Sequence, residues 1–333
     1  AVGSHVGSTL GLANDKWVKD GIEFLRNFKL EGDIADIKPG DKVAIIGGGN
    51  TAIDVSRTAL RLAAEPIIFY RRTIREMPAI AQEVREAQEE GITIQFLTAP
   101  IGLSKDEKGL NLELIRMQLG EPDASGRRRP VPIEGSKWTG TYDHVITAIG
   151  QETDPYVFGE FKVSPKQGRI TYYSDTPVFC AGDMAWGGTV TEAIGSGNKT
   201  AAEVDAFLRN IPYDSNEVLP EVVLPKDINF AYYLPTPRRQ TPLHHPEHFH
   251  HDFTEVAKGM NEKDIVEETE RCLHCGDCFL CGNCFNYCPD AAIHVDDMGR
   301  IRIDYDYCKG CGICVQECPC SAIEFKLSEV EAI

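Results

Sequence analysis

The sequence lacks several features that define other classes of protein. No apolar run approaches the roughly 20 residues that a helix needs to span a bilayer. The N-terminal stretch has neither the basic region nor the apolar core of a secretory signal peptide. No G-x-S-x-G turn or similar frame supports a hydrolytic nucleophile. We therefore expect no membrane span and no hydrolytic chemistry.

The sequence also has no excess of basic residues. Its 333 residues carry 34 Lys and Arg against 51 Asp and Glu, a formal net charge of −17. Such a surface disfavours nucleic acid and anionic membranes as partners. It is compatible with docking onto a basic face of a redox protein, and it also keeps the chain soluble. The length and the 42% of hydrophobic residues predict two or three domains with substantial cores.

Cysteine is abundant, and eight of the 12 cysteines form two copies of the spacing C-x2-C-x2-C-x3-C-P, thirty residues apart. In bacterial ferredoxins, three close thiolates of such a run hold one cluster and the fourth ligates the other. Zinc sites usually pair two cysteines with two distant ligands, and disulfides need an oxidising compartment, so both alternatives are disfavoured. We assign Cys278, Cys281, Cys284 and Cys318 to one [4Fe-4S] cluster and Cys308, Cys311, Cys314 and Cys288 to the other.

Other cysteines and histidines have weaker patterns. Cys272 and Cys275 extend the first run, but a lone C-x2-C cannot complete a four-ligand site. A third metal site, completed by Cys320, Cys180 or another chain, is the alternative to unligated thiols. A solvated connector is favoured over a metal site for the irregularly spaced His244, His245, His248, His250 and His251.

A nucleotide site is predicted around Gly47-x-Gly49-x-x-Ala52, which follows a buried strand (43–46) and opens a helix. The glycines permit a tight turn and let a pyrophosphate approach backbone N–H groups at the helix start. NAD-specific proteins place a carboxylate at the end of the next strand, where this chain has Tyr70-Arg71-Arg72. Because arginine can hold a 2′-phosphate, we expect NADP(H), with NAD(H) as the alternative.

Four stretches carry a resemblance to a known family: VAIIGGGNTAIDVSRTAL, FYRRTIREMPA, ITAIGQ and FCAGDMAWGGTVTEAIGSGNKTAA. Over about residues 1–210 the chain resembles the glutamate synthase small subunit family. With its cysteine-rich end it is similar to members that carry a C-terminal two-cluster ferredoxin. The resemblance implies an FAD domain interrupted by an NADP(H) domain.

The resemblance also implies where FAD would bind. Gly182 and Asp183 match the late FAD motif of the family, and Thr189 and Val190 would place backbone near the flavin ring. The first FAD glycine motif of the family lies upstream of Ala1, so we expect a fragment, or another polypeptide that supplies the rest of the FAD domain. The cofactor-binding residues expected here are Gly47, Gly49, Asn50, Thr51, Ala52, Arg71, Arg72, Gly150, Gly182, Asp183, Thr189 and Val190.

The expected fold is α/β, a Rossmann-like NAD(P)-binding domain interleaved with part of an FAD-binding domain, followed by an α+β ferredoxin-like domain. Helices are predicted over 14–28 and 79–90, strands over 92–98, 110–118 and 142–149, and a loop over 120–132. The predicted domains are 1–40 (partial FAD domain), 41–150 (NADP(H) domain), 151–210 (rest of the FAD domain), 211–265 (extended linker and helix) and 266–333 (ferredoxin domain).

The expected function is an NADPH-linked oxidoreductase subunit that passes electrons between NADP(H), FAD and two [4Fe-4S] clusters, to or from a ferredoxin or partner subunit. We expect no catalytic side chain, because the cofactors carry the chemistry. The alternative is a non-catalytic electron-wiring or scaffold subunit of a larger complex such as glutamate synthase. Both imply a redox partner protein or further subunits. Ligand cysteines must stay reduced until the clusters are inserted, so we expect a cytoplasmic location. The lability of the clusters favours an anaerobic setting.

Overall fold

A computed structural model describes residues 3, 6–31, 36–123, 126–154, 171–173, 176–185, 188–213, 222–244 and 252–326. These residues form two compact units. The first contains the described residues of Ala1–Tyr213 and His244–Val256, and the second those of Asp214–Leu243 and Ala257–Ile333. Within the described residues, no helix is both long and apolar enough to cross a bilayer.

The first unit contains most of the regular structure. Its strands are β1 (Val6–Gly7), β2 (Val18–Asp20), β3 (Lys42–Gly47), β4 (Glu65–Tyr70), β5 (Thr93–Phe96), β6 (Thr98–Asp106), β7 (Gly109–Pro122), β8 (Arg128–Tyr142), β9 (His144–Ala148), β10 (Gln151–Glu152), β11 (Thr171–Tyr173) and β12 (Thr176–Val178). Its α-helices are α1 (Gly21–Glu31), α2 (Asn50–Arg61), α3 (Ala81–Glu89) and α4 (Val190–Leu208).

A parallel sheet with the strand order β2-β9-β3-β4-β5 lies at the centre of this unit. From β3 the chain proceeds outward to β4 and β5, whereas β9 pairs with the other side of β3. The strand order therefore reverses between β3 and β9. In open α/β sheets, ligands bind in the crevice outside the carboxyl ends of strands at such a reversal.

Alternating side chains of β3 pack into two separate cores. Val43 and Ile45 belong to a core that also contains buried residues of α2 and α3, such as Ile53 and Val84. Ala44 and Ile46 lie on the opposite face, in a core with Leu112 and other apolar residues of the antiparallel sheet β6-β7-β8. Both faces of the parallel sheet are thus covered, which explains why β3 is an almost continuous apolar run.

Two predicted elements differ from the observed ones. The predicted loop over 120–132 is largely strand, because β7 and β8 pair as far as Pro122 and Arg128. Pro130 is tolerated because β8 is an edge strand of its sheet. The helix predicted over 14–28 begins only at Gly21, since the Asp20 carboxylate accepts hydrogen bonds from the backbone N–H groups of Ile22 and Glu23 and so caps the helix there.

The second unit is built on the duplicated cysteine run. Its elements are the helices α5 (Glu262–Thr269), α6 (Asn283–Asn286) and α7 (Ile313–Gln316) and the strands β13 (Ile293–Val295) and β14 (Ile301–Ile303). The two short helices begin thirty residues apart, after Gly282 and Gly312, which both have positive φ. A strand follows only the first copy: the described residues 320–326 after the second copy form none, and β13 instead pairs with β14.

The segment 222–243 belongs to the predicted linker. In the structure it is part of the cysteine-containing unit. The backbone N–H of Asn229 donates to the Pro319 carbonyl over 3.1 Å, and its side-chain amide donates to the Gln316 carbonyl over 2.8 Å. The Tyr233 hydroxyl donates to the Leu273 carbonyl over 2.9 Å. These bonds attach the described part of the segment to both ends of the cysteine-rich region.

Candidate cofactor-binding sites

A cleft of about 410 Å³ opens at the carboxyl ends of β3, β4 and β9, a size typical of small-molecule sites. Its walls come from these strand ends, from the start of β6 and from the β7–β8 hairpin. The lining residues are Leu10, Ile46, Gly47, Gly48, Gly49, Phe69, Tyr70, Arg71, Arg72, Pro78, Thr98, Ala99, Pro100, Arg127, Ile149 and Gly150.

The glycine loop between β3 and α2 is shaped for close approach of a ligand. Gly47 has a φ of +151°, and a Cβ there would lie 2.2 Å from the Ala148 carbonyl oxygen. A Cβ on Gly48 would lie 2.4 Å from the Tyr70 ring. Gly49, in contrast, has open space around the position of a Cβ, and it is one of the residues that line the cleft. The loop therefore meets the steric requirement of a dinucleotide-binding turn.

The first turn of α2 has the electrostatics of an anion site. It contains no acidic residue, and its N-terminal cap, Gly49, provides no side-chain oxygen for the helix N–H groups. The N-terminus of a helix carries partial positive charge and presents backbone N–H groups to a ligand. The Asn50 side-chain oxygen accepts a hydrogen bond from the Ile80 backbone N–H over 2.9 Å, which connects the start of α2 to the residue before α3. Ala52 is fully buried, which lets α2 pack closely on the sheet.

The two predicted arginines after β4 have different environments. Arg71 is exposed and lines the cleft. Arg72 also reaches the cleft wall but is only 5% exposed, and its guanidinium donates to the Asp123 carboxylate over 2.9 Å and to the Arg128 carbonyl over 2.7 Å. Arg72 therefore fastens the β7–β8 hairpin to the end of β4.

Arg127 lines the same cleft but is not among the binding residues predicted from the sequence. The hairpin turn that carries it is closed by a 2.7 Å bond from the Asp123 backbone N–H to the Arg127 carbonyl. The feature of the sequence that could have indicated Arg127 is the basic run Arg127–Arg129. This run was interpreted as part of a loop. Arg71 and Arg127 thus give the cleft positive charge on two sides.

The predicted FAD residues lie on a turn and on the start of α4. Gly182 has a φ of +65° and donates its N–H to the Ser196 hydroxyl over 2.8 Å, while Asp183 is exposed beside it. Thr189 caps α4 in a reciprocal arrangement with Glu192, and Val190 is 78% exposed. The described lining of the cleft includes none of these residues. An accessible turn and helix start are compatible with a flavin contact.

The four cysteines assigned to one cluster surround a single cavity. Cys278, Cys281 and Cys284 from the first copy and Cys318 from the second line it together. Its remaining lining is mainly apolar, with Ile301 and Ile323 among the residues. The crossed ligand pattern of two-cluster ferredoxins requires cysteines from both copies at one cluster site. The lining of this cavity meets that requirement.

Backbone hydrogen bonds to sulfur repeat between the two copies. The Ala292 N–H donates to Cys288 Sγ over 3.3 Å, and the Ala322 N–H donates to Cys318 Sγ over 3.2 Å. Such bonds favour thiolate ligands. Burial raises the pKa of the Cys284 and Cys314 thiols, and neighbouring cysteine thiolates raise it further. Metal binding must therefore displace these protons, as is general for thiolate ligands.

Sequence profiles identify both parts of the chain. The pyridine nucleotide-disulphide oxidoreductase family matches residues 1–197, which is more than half of the chain. The chain belongs to this family. In this pyridine nucleotide-disulphide oxidoreductase, a 4Fe-4S dicluster domain also matches residues 277–322, which contain all eight cysteines of the two copies.

Several curated relatives of this oxidoreductase are similar over most of the chain. The beta subunit of an NADP(+)-dependent formate dehydrogenase from Moorella thermoacetica is 36% identical, over 83% of this chain and 41% of that relative. The beta subunit of an NADPH-Fe(3+) oxidoreductase from Geobacter sulfurreducens is 33% identical, over 83% of this chain and 47% of the relative. The chain thus spans less than half the length of either.

Two further likenesses concern the family and the fold. The glutamate synthase [NADPH] small chain of Azospirillum brasilense is 36% identical, over 51% of this chain and 38% of that relative. Mycobacterium tuberculosis FprA in complex with NADPH aligns with a TM-score of 0.51 at 17% identity, over 63% of each chain, which shows a shared fold alone.

These matches confirm the predicted family resemblance and the α/β fold with a two-cluster ferredoxin domain. They also confirm an oxidoreductase of a pyridine nucleotide-linked family that carries a domain for two [4Fe-4S] clusters. The individual binding residues and the domain boundaries stay predictions.

Proposed function

We propose that this chain passes electrons between NADP(H), FAD and two [4Fe-4S] clusters as one subunit of a larger oxidoreductase. The observation that carries the proposal is the combination, in one chain, of a cleft beside the glycine loop at the end of β3 with a cavity lined by four cysteines. The two relatives that are beta subunits of NADP(H)-linked enzymes support a role within a complex.

The glycine loop would bind the pyrophosphate of the nucleotide. The open side of Gly49 leaves room for the phosphate oxygens, and the first N–H groups of α2 would donate to them. Gly150 would line the crevice from the end of β9, where its backbone has a φ of +134° and its carbonyl accepts the Ser8 N–H over 3.1 Å.

Preference for NADP(H) over NAD(H) would come from positive charge on both sides of the cleft. Arg71 would form paired, charge-assisted hydrogen bonds to the 2′-phosphate, a geometry that suits the guanidinium group. Arg127 would approach from the hairpin, which Arg72 and Asp123 hold in place. We therefore propose that the main role of Arg72 is to position the hairpin.

The remaining residues would hold the flavin and the clusters. The turn at Gly182 and Asp183 and the start of α4 at Thr189 and Val190 would contact FAD. The eight repeated cysteines would ligate the clusters as thiolates. When bound, the nucleotide exchanges electrons in pairs, the clusters exchange them singly, and the flavin handles both.

The proposed partner is another subunit or a ferredoxin, which exchanges electrons with the cysteine-containing unit. The acidic composition of the chain favours a basic docking face on that partner. We place the protein in a reducing cytoplasm, where cysteine ligands remain reduced until the clusters are inserted.

The test is anaerobic reduction of the complete, cluster-loaded protein by NADPH and by NADH, followed through the flavin and iron–sulfur absorption. NADPH should reduce the flavin and then the clusters, and NADH should be less effective. Arg71→Ala should raise the KM for NADPH at least about tenfold, equivalent to about 1.4 kcal/mol, and leave the KM for NADH unchanged. Arg129→Ala is the matched control, since Arg129 is exposed but does not line the cleft.

Two results would contradict the proposal. Rapid cluster reduction by NADPH in a flavin-depleted preparation would exclude the flavin as an intermediate carrier. Absence of any NADPH oxidation by the loaded protein, with normal cluster reduction by a reduced partner, would favour the non-catalytic wiring subunit instead.

A further inference from the structure

A fifth thiol lies at the cavity of the cluster that Cys318 would bind. Cys320 is only 2% exposed and lines the cavity together with the four assigned ligands. Its sulfur lies 3.9 Å from Cys318 Sγ, within the range of a hydrogen bond between sulfur atoms. The Cys320 carbonyl accepts the Gly276 N–H over 2.7 Å, which anchors the backbone at this position.

The internal repeat provides a comparison for this thiol. The residue thirty positions before Cys320 is Asp290, which likewise follows a Cys-Pro pair. The Asp290 carboxylate accepts a hydrogen bond from Lys309 Nζ over 2.6 Å. Both Cys288 and Cys318 accept a backbone N–H bond, but the position that corresponds to Cys320 holds an aspartate, whose side-chain oxygen accepts a hydrogen bond from Lys309. The two halves therefore differ in hydrogen bonding to the crossing ligand.

We propose that Cys320 is a positioning residue whose S–H donates to the ligand sulfur of Cys318 and raises the reduction potential of the cluster at that cavity. The inference rests on the cluster site of the proposed function. Either sulfur could donate in the pair as the structure holds it, but a ligating Cys318 thiolate would carry no proton, so Cys320 would be the donor once a cluster is bound. Reduction adds negative charge to a cluster and its sulfurs, so a donor stabilises the reduced form more than the oxidised form.

Burial makes this contact specific. At 2% exposure the thiol is shielded from bulk water, so a solvent molecule cannot easily replace the donor once the thiol is removed. A serine in the same place keeps an O–H donor, whereas an alanine keeps none. The two substitutions therefore separate hydrogen bonding from simple loss of the thiol.

The test is a redox titration, followed by EPR, of the complete cluster-loaded protein with Cys320, Cys320→Ala or Cys320→Ser. Cys320→Ala should shift the one-electron equilibrium of one cluster about tenfold towards the oxidised form, which is about 59 mV lower in potential. Cys320→Ser should retain most of the native potential. Cys180→Ala, which removes a buried thiol from the other unit, is the matched control and should leave both potentials unchanged.

Iron and sulfide analysis of each variant distinguishes failure of this inference from failure of the proposed function. If the unsubstituted protein binds no clusters, the proposed function fails. If both variants keep two clusters and Cys320→Ala has the native potential, the assignment of Cys320 is wrong. Loss of one cluster from both variants would mean that Cys320 is itself a cluster ligand. This result would also overturn its assignment as a positioning residue. If Cys320→Ala does not fold, Cys320→Val replaces it, since valine also has no hydrogen-bond donor: a tenfold shift supports the assignment, and the native potential overturns it.

Discussion

Neighbouring residues acquire different tasks from their local geometry, as the glycine loop shows. Gly47 is required by the fold itself, because its φ of +151° and the nearby Ala148 carbonyl exclude a side chain. Gly49 has an ordinary φ of −90° and open space beside it. The packing of the protein does not explain a glycine at position 49, so we attribute it to the approach of a nucleotide phosphate.

This difference predicts that alanine at position 49 weakens nucleotide binding, whereas alanine at position 47 lowers the stability of the fold. Gly49→Ala should change the free energy of unfolding by less than about 1 kcal/mol and raise the Kd for NADPH at least about tenfold. Gly47→Ala should lower the free energy of unfolding by about 1–3 kcal/mol, through backbone strain and the contact with Ala148. Urea unfolding and NADPH titration measure both quantities. A large loss of stability in Gly49→Ala would refute the assignment.

At the scale of elements, a buried ionic network joins α2 to the end of α3. The Glu90 side chain is 3% exposed and accepts hydrogen bonds from the guanidinium groups of Arg57 and Arg61. Burial alone would raise the pKa of Glu90, but the bonds from the two arginines lower it below its ordinary value. The network therefore fixes one helix against another only while Glu90 is ionised.

Replacement of this carboxylate by an amide removes the buried negative charge that Arg57 and Arg61 both contact. We expect Glu90→Gln to lower the free energy of unfolding by about 3 kcal/mol at neutral pH. Because the folded-state pKa of Glu90 is lowered, its stabilising contribution is present above the unfolded-state value of about 4.3 and is lost as the pH falls through the folded-state value. The difference between the two proteins should therefore shrink in acid.

Urea unfolding followed by tryptophan fluorescence checks this expectation, because Trp17 and Trp138 pack against the core of the same unit. The control is Glu89→Gln, which changes an exposed carboxylate one residue away in α3 and should have little effect. A Glu90→Gln protein as stable as the control would show that the network contributes nothing.

At the scale of the whole molecule, the two units differ in what holds them together. The first has extensive apolar cores on both faces of its parallel sheet. In the second, the buried apolar residues among those described are Ile228, Cys284, Ala292, Ile293, Cys318 and Cys320, of which half are cysteines. A small unit with so little aliphatic core usually depends on metal for its stability.

Removal of the clusters should therefore unfold one unit and spare the other. After anaerobic chelation of iron, the region 266–333 should become sensitive to proteases, and the urea midpoint reported by tryptophan fluorescence should stay unchanged. All three tryptophans lie within residues 1–213, so this signal reports the first unit. Reconstitution with iron and sulfide should restore protection. An equal shift of the tryptophan transition would show that the clusters stabilise the entire chain.

Features that short stretches of sequence determine were easier to predict than features that depend on contacts between distant residues. The strand–glycine–helix unit around Gly47 and Gly49 is local, and its pattern predicted the crevice. The hairpin β7–β8 is held by pairing between strands, and its Gly and Pro content indicated a loop instead. Arg127 was missed for the same reason. The roles of Arg71 and Arg72 looked equivalent, because only the distant Asp123 distinguishes them.

The amino-acid sequence alone determined the chemistry of this protein, since thiolate spacing and a glycine turn are constraints within a few residues of chain. The tertiary structure decided which groups come together across long separations: Cys318 with the first cysteine copy, Cys320 beside it, and Arg127 of the β7–β8 hairpin with the glycine loop in one cleft. Local spacing cannot encode such contacts, because they depend on how separate elements bury their apolar faces against one another.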